Sequence, residues 1–193
     1  MLNSKTEIYL ASKSPRRKKL LEQLNLKFKV IDVDSNERIK KYEKPFETVK
    51  RLSWEKMEKA KKLIKKGIVI TADTIVVINN SILGKPRNEK DAERILKILS
   101  GKTHYVYTGF SIFNFENQQS ITDYEKTAVT FRDLDEEEIR AYIRGGSPMD
   151  KAGAYGIQDD FGAVFVKKIN GCYYNVVGLP LPKVYDSLKR IAE

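Results

Sequence analysis

Four residues, Thr71-Ala72-Asp73-Thr74, stand between two aliphatic, β-branched runs, Ile68-Val69-Ile70 and Ile75-Val76-Val77-Ile78. Runs of this kind build buried strands, so the core of a sheet is expected here, as two strands broken by the four residues. A carboxylate embedded between such strands is costly unless it is paired or binds a cation. Asp73 is therefore the leading candidate for chemistry, against the alternative that it caps a turn at a strand end. Further carboxylates, Asp32, Asp34 and Glu37, follow the second predicted strand. Oxygen donors of this type suit Mg²⁺ or Mn²⁺, which bridge one or two carboxylates and substrate phosphates.

The rest of the pattern surrounds that core with alternating strands and helices. Glu7–Ala11 reads as a strand, and Ser14 caps a helix that Pro15 begins and that runs to about Leu24. Phe28–Ile31 reads as a second strand, giving the strand-helix-strand opening typical of α/β proteins. Residues 32–44 are an aperiodic loop, and Pro45 starts a long helix with an inner face of Val49, Leu52, Met57, Leu63 and Ile64, ended by Gly67. Asn79-Asn80 turns the chain into Ser81–Leu83. Asn88 caps a helix over Glu89–Leu99, closed by a left-handed Gly101. Thr103–Phe113 and Gln119–Phe131 form a hairpin, and Asp135 with Glu138 makes a capping box for a helix that stops at Gly145-Gly146. Residues 145–162 are a long loop of the kind that carries function. Val164–Val166 and Tyr173–Val177 are expected as strands, before a last helix from Pro180 to about Ala192. Without repeats or linkers, one domain over residues 1–193 is expected, with room for one real core.

Composition narrows the function. One cysteine, Cys172, excludes an intramolecular disulfide framework and a cysteine-built zinc site, and one histidine, His104, excludes a multi-histidine metal site. No run of about 18 apolar residues is present and the opening residues do not read as a signal segment, so a cytoplasmic protein with no membrane partner is expected. The formal charge of +10, from 36 Lys+Arg against 26 Asp+Glu, favours an anionic partner. Most lysines in Arg51–Lys66 alternate with glutamate at helical spacing, as a solvated helix face does.

Three more polar clusters sit at element ends. Ser12, Ser14, Arg16 and Arg17 surround a helix N-terminus, where free N–H groups, hydroxyls and guanidiniums suit phosphate; a capped helix with a basic exposed turn fits equally. Gly84-Lys85-Pro86 places a point cation in a stiff turn. In residues 150–158 (Asp-Lys-Ala-Gly-Ala-Tyr-Gly-Ile-Gln) small residues let backbone approach a ligand, while Lys151 and Gln158 supply donors. Gln158 either reads a base edge or satisfies loop backbone. His104 is expected to order a strand end and Cys172 to be a buried, inert thiol at a strand start. The glycine-rich phosphate-binding and dinucleotide-binding fingerprints are both missing. Asn79-Asn80-Ser81 matches a glycosylation sequon and, without a signal peptide, reads as a chance match.

Six stretches in register carry a resemblance: 10–17 (Leu-Ala-Ser-Lys-Ser-Pro-Arg-Arg), 71–74 (Thr-Ala-Asp-Thr), 83–86 (Leu-Gly-Lys-Pro), 99–104 (Leu-Ser-Gly-Lys-Thr-His), 150–158 and 175–180 (Asn-Val-Val-Gly-Leu-Pro). Together they resemble the Maf (septum-formation inhibitor) family over nearly the whole chain. The resemblance implies an elongated α/β fold, a mixed sheet flanked by helices, with two lobes and a central cleft, similar to the inosine-triphosphate pyrophosphatase architecture and commonly a homodimer. It implies a nucleoside-triphosphate pyrophosphatase that uses a divalent cation, Mg²⁺ or Mn²⁺. On the matching positions, Asp73 would be the catalytic carboxylate, with Glu37 assisting at the metal. Ser12, Arg16, Arg17, Lys56 and Lys85 would hold the triphosphate, Lys85 also stabilising charge during the reaction.

Family members with Arg16, Thr74 and Gln158 at these positions resemble the dTTP/UTP pyrophosphatases, whereas the branch acting on 7-methyl-GTP carries an acidic residue where Gln158 stands. The resemblance thus implies dTTP and UTP as substrates and clearance of non-standard or excess pyrimidine nucleotides. Two departures are Asp159, where glycine is usual and which adjoins Gln158, and Cys172, where serine is common. The competing readings are a basic nucleic-acid-binding protein and a regulatory partner in cell division. The acidic loop clusters argue against nucleic acid as a partner.

Overall fold

In the computed structural model, which describes residues 6–33, 38–158 and 161–192 apart from the Ser147 side chain, the chain runs β1 (Ile8–Ala11), α1 (Pro15–Glu22), β2 (Phe28–Ile31), α2 (Pro45–Leu63), β3 (Ile68–Ile78), β4 (Ser81–Leu83), α3 (Glu89–Leu99), β5 (Thr103–Asn114), β6 (Ser120–Phe131), α4 (Glu136–Arg144), β7 (Val166–Asn170), α5 (Tyr173–Val177) and α6 (Leu181–Ile191). The strands form one mixed sheet ordered β2-β1-β3-β5-β6-β7, with β4 paired to β3. β1 runs parallel to both β2 and β3, and β3–β4 and β6–β7 are antiparallel. The fold class is α/β, as the strand-helix alternation requires.

Local chemistry sets the boundaries. The Ser14 hydroxyl accepts the Arg17 N–H at 3.4 Å with Pro15 at the first helical position, and Asn88 accepts the Asp91 N–H at 2.9 Å. Asp135 and Glu138 form the expected capping box at α4. Asn79 and Asn80 take left-handed backbone, φ +48° and +59°, which matches the twist that a two-residue hairpin between β3 and β4 needs.

The sheet corrects several expectations. β3 is one continuous strand of 11 residues with no break at 71–74, ten of them buried and only Thr74 half-buried. Thr71, Ala72 and Thr74 tolerate extended backbone, and Asp73 is compensated in place. Leu63 is 62% exposed at the last position of α2, off the inner face. Residues 161–165 wind as a short 3₁₀ turn, so β7 begins only at Val166.

Residues 173–177 are helical, α5, not a strand. The Asn175 side chain is fully buried, donating to the Val106 carbonyl at 3.0 Å and the Thr127 hydroxyl at 2.9 Å. The same hydroxyl donates to the Cys172 carbonyl and accepts the Cys172 N–H, both at 3.1 Å. Wrapping 172–175 around one hydroxyl needs a turn, and hydrophobic patterning carries no trace of it. Cys172 is accordingly half-buried in a turn, not buried at a strand start.

Contacts divide the chain into two compact units. The first holds Met1–Asp73, Thr108–Glu125 and Gly178–Glu193; the second holds Thr74–Tyr107 and Lys126–Val177. β3, β5 and β6 contribute to both. The first packs Tyr9, Ala11, Met57, Ala60, Val69 and Phe113 together. The second centres on Ile95, Leu96, Leu99, Phe131, Tyr142, Tyr155 and Phe165. No helix among the described residues is long and apolar enough to cross a membrane.

Candidate active site

Asp73 lies mid-strand in β3, 3% exposed, and the Lys56 ammonium on α2, 7% exposed, donates to its Oδ1 at 2.5 Å. The same ammonium lies 3.4 Å from the Ala72 carbonyl oxygen. Two charges this deep need compensation, and each supplies some to the other, because a poor dielectric penalises a buried charge. The turn-capping alternative for Asp73 is excluded, because the residue has strand on both sides.

A row of hydroxyls explains why these two side chains meet. The Thr71 hydroxyl donates to the Ser53 carbonyl at 2.7 Å; the Ser53 and Ser111 hydroxyls lie 3.0 Å apart; and Thr122 donates to Ser111 at 2.9 Å. Ser53 and Lys56 share a helix face at a spacing of three, and Thr71 and Asp73 share a strand face at a spacing of two. Pinning the first member of each pair therefore brings the second members together. Gly109 on β5 lets α2 come this close: a Cβ there would stand 2.3 Å from the Val49 carbonyl oxygen.

The first unit also holds the hydroxyl-arginine cluster. The Arg17 guanidinium donates through Nη1 to the Ser12 hydroxyl at 3.2 Å and through Nε to the Gly178 carbonyl at 2.7 Å, tying the first motif to the last. The Ser12 oxygen also accepts the Ser14 N–H at 3.2 Å. Arg16 is half-buried in the first turn of α1. The long helix is anchored by Arg51, whose Nε and Nη2 grip the two Glu43 oxygens at 2.7 and 2.6 Å and whose Nη2 also donates to the Arg38 carbonyl. This pairing holds the Glu43 carboxyl below its usual range. Glu37, Asp34 and Asp159 lie outside the described residues.

In the second unit, two predicted segments are joined through backbone. The Gly153 N–H donates to the Gly84 carbonyl at 3.1 Å, which sets the 151–158 segment beside the Lys85 turn. Gly153 has φ +73° and a Cβ there would strike the Val76 side chain at 2.8 Å, so only glycine fits. Lys85 is exposed, and Lys151 is largely covered and paired with Asp150 at 2.9 Å. The Gln158 amide oxygen accepts the Ile157 N–H at 3.2 Å, the backbone-satisfying arrangement, which also fixes the orientation of the amide. Thr74, next to Asp73 on the strand, points to the opposite face.

Sequence reasoning saw Lys56 within a run of solvated lysines and placed it on the triphosphate only through the resemblance. The signal was its register: with Val49, Leu52, Ser53, Met57 and Ala60 it falls on the buried stripe of α2. Ser53, Ser111 and Thr122 gave no such signal, because a buried hydroxyl is as ordinary in sequence as an exposed one.

Among the described residues, no three histidine, cysteine, aspartate or glutamate side chains gather as a metal cluster would. The chemistry of the donors still fits a hard divalent cation. A single carboxylate with water and phosphate oxygens is the usual protein share of a magnesium site, and Asp73 supplies one.

The chain matches the family model described as Maf-like protein over residues 7–191. It is 45% identical over 187 residues to the dTTP/UTP pyrophosphatase of Ruminiclostridium cellulolyticum, covering 96% of each chain. It is 50% identical over 182 residues to that of Thermosipho melanesiensis, covering 94% of this chain and 96% of that one. For that of Bacillus cereus (strain AH187) the identity is 47% over 184 residues, 95% of each. Among solved structures, the Ham1 protein of Staphylococcus aureus superposes with a TM-score of 0.46 at 16% identity, over 66% of this chain and 72% of that one.

Proposed function

This chain belongs to the Maf-like protein family, and from that membership we propose that it is a nucleoside-triphosphate pyrophosphatase that hydrolyses dTTP and UTP to the monophosphate and pyrophosphate. The observation that carries the reading is the buried Asp73–Lys56 pair in mid-strand, in a chain similar over nearly its full length to dTTP/UTP pyrophosphatases.

In the proposed reaction a water oxygen forms a bond to the α-phosphorus. The bond from that phosphorus to the oxygen bridging to the β-phosphate breaks, and pyrophosphate leaves with the electron pair. The Asp73 carboxylate orients the water and takes its proton. Lys56 holds that carboxylate in place and compensates its charge, and its ammonium stays among the cations for the triphosphate. Ser12, Arg16, Arg17 and Lys85 supply the hydroxyl and cations that bind phosphate oxygens, the arginines through forked donors and Lys85 as a point charge. Lys151, Thr74 and Gln158 provide further substrate contacts, Gln158 at the base. A Mg²⁺ or Mn²⁺ ion held by Asp73, with Glu37, would supply charge neutralisation at the phosphates.

The family membership also supports a homodimer acting in the cytoplasm on free nucleotides and not on nucleic acid. Light scattering on the purified protein tests the dimer. The activity test is pyrophosphate release from dTTP, UTP, CTP, GTP and 7-methyl-GTP, with Mg²⁺, with Mn²⁺ and with a chelator. Release led by dTTP and UTP and abolished by the chelator is the expected result; preference for 7-methyl-GTP would move the chain to the other branch. In Asp73→Asn, turnover should fall by about 10²–10⁴-fold with substrate binding largely kept; near-normal turnover would remove Asp73 from its role.

A further inference from the structure

His104, which the chemistry above leaves unused, is 0% exposed at the second position of β5. Its Nε2 lies 2.8 Å from the Tyr155 hydroxyl. The Phe131 and Tyr155 rings meet the imidazole edge-on, at 5.0 and 5.4 Å between centroids. Its Nδ1 is buried without a hydrogen-bond partner. A core that needed only volume here is better filled by an apolar side chain, which leaves no orphaned nitrogen. What the imidazole adds is direction: packing alone lets a tyrosine ring slide along its axis, and a hydrogen bond at the hydroxyl stops it.

Tyr155 belongs to the segment that carries Lys151 and Gln158. That segment has one backbone turn bond of its own, from the Ala154 N–H to the Lys151 carbonyl at 3.1 Å, and is otherwise held from outside. Gly153 and Ala154 are consecutive left-handed residues, φ +73° and +60°, and alanine disfavours that conformation. Tertiary bonds support it, among them the Gly153 N–H to the Gly84 carbonyl, the Gly156 N–H to the Tyr142 hydroxyl at 3.3 Å, and the Tyr155 hydroxyl to His104. The last is made by a side chain of the segment, midway between its two candidate nucleotide contacts.

We propose that His104 is a positioning residue: through the Tyr155 hydroxyl it sets the place of residues 151–158 and thereby the enzyme's discrimination among nucleoside triphosphates, with no part in the bond cleavage at Asp73. This rests on the pyrophosphatase reading above. The experiment measures kcat and KM with dTTP, UTP, CTP and GTP for the wild type, His104→Leu, Tyr155→Phe, His104→Gln and the double variant His104→Leu/Tyr155→Phe. In both His104→Leu and Tyr155→Phe, KM for dTTP and UTP should rise roughly ten-fold with kcat within about two-fold, so the preference over CTP and GTP falls roughly ten-fold. His104→Gln, whose amide reaches toward the phenol, should recover most of the preference, and the double variant should be no worse than either single one, as expected when both break one bond. Tyr155→Phe keeps the ring and its packing, so the test survives if His104→Leu does not fold. An equal loss of kcat on all four nucleotides with the preference intact would reduce the pair to a structural role and overturn the inference alone. A wild type that releases pyrophosphate from none of them would overturn the functional reading and the inference with it.

Discussion

Lys56 and Asp73 in the first unit are both charged, each the other's compensation, whereas His104 and Tyr155 in the second are both neutral, joined by one bond with a nitrogen to spare. Both pairs are buried, and the difference lies in what burial does to them. Opposite charges at contact attract each other, which offsets part of what their burial costs where water is scarce. An imidazole with no anion beside it takes the other course: burial lowers the His104 pKa from the ordinary 6.5 to about 4, and it pushes the Tyr155 hydroxyl up. One unit thus buries a charge it can use, and the other buries a polar bond it can aim with.

The largest effect should come from breaking the charged pair on one side. Lys56→Met removes the cation in contact with the buried Asp73 carboxylate and should cost about 3–5 kcal/mol in urea denaturation at pH 7. Lys56→Met/Asp73→Leu, with both charges gone, should regain most of that stability and none of the activity. A cost under about 1 kcal/mol for Lys56→Met, the range of exposed pairs, would mean that bulk solvent screens Asp73 as it does a surface carboxylate, and that the burial contrast between the two pairs does not hold.

The neutral pair predicts a pH dependence of opposite origin. The folded-state pKa of His104 is depressed, so between about pH 4 and 6.5 the unfolded chain binds the extra proton and acid favours unfolding. The contribution is fully present above the ordinary 6.5 and is lost as pH falls toward 4, amounting to roughly 3 kcal/mol over the whole window. Measured as wild type minus His104→Gln, the stability difference should shrink across that window and stay flat above pH 7. A flat difference throughout would place a compensating anion or water at Nδ1.

These two centres also show what a sequence can reveal. Asp73 was legible because a carboxylate in an aliphatic strand has so few explanations, and the caps at Ser14, Asn88 and Asp135 were legible because each is a short-range bond between residues a few positions apart. Lys56 was half-legible, through its register on α2. The 173–177 helix and the hydroxyl row behind Lys56 were not, because both depend on hydrogen bonds between residues tens of positions apart, such as Asn175 to Thr127 and Ser53 to Ser111. Hydrophobic period records which face is buried; it does not record which buried hydroxyl meets which.

The smallest effect should come from an exposed ion cluster of the first unit, and it sharpens the comparison by separating charge pairing from burial. Glu7 accepts from Lys29 at 2.5 Å and Lys66 at 2.8 Å, with the Tyr9 hydroxyl at 3.1 Å, a geometry as close as that of Lys56 and Asp73. The two lysine side chains are 67% and 77% exposed, against 9% for the side chain of Lys56. Lys29, then Lys66 and Tyr9, hold the Glu7 carboxyl down to about 2, so whatever it contributes is fully present above the ordinary 4.5 and is lost progressively as pH falls from there to about 2. Water and salt screen a cluster of this kind at pH 7. Glu7→Gln should therefore leave the urea midpoint at pH 7 unresolved from that of the wild type, in low salt and in 1 M NaCl alike. If it instead destabilised the protein as much as Lys56→Met, contact distance and not burial would set the strength of these pairs, and the contrast between the two units would lose its physical basis.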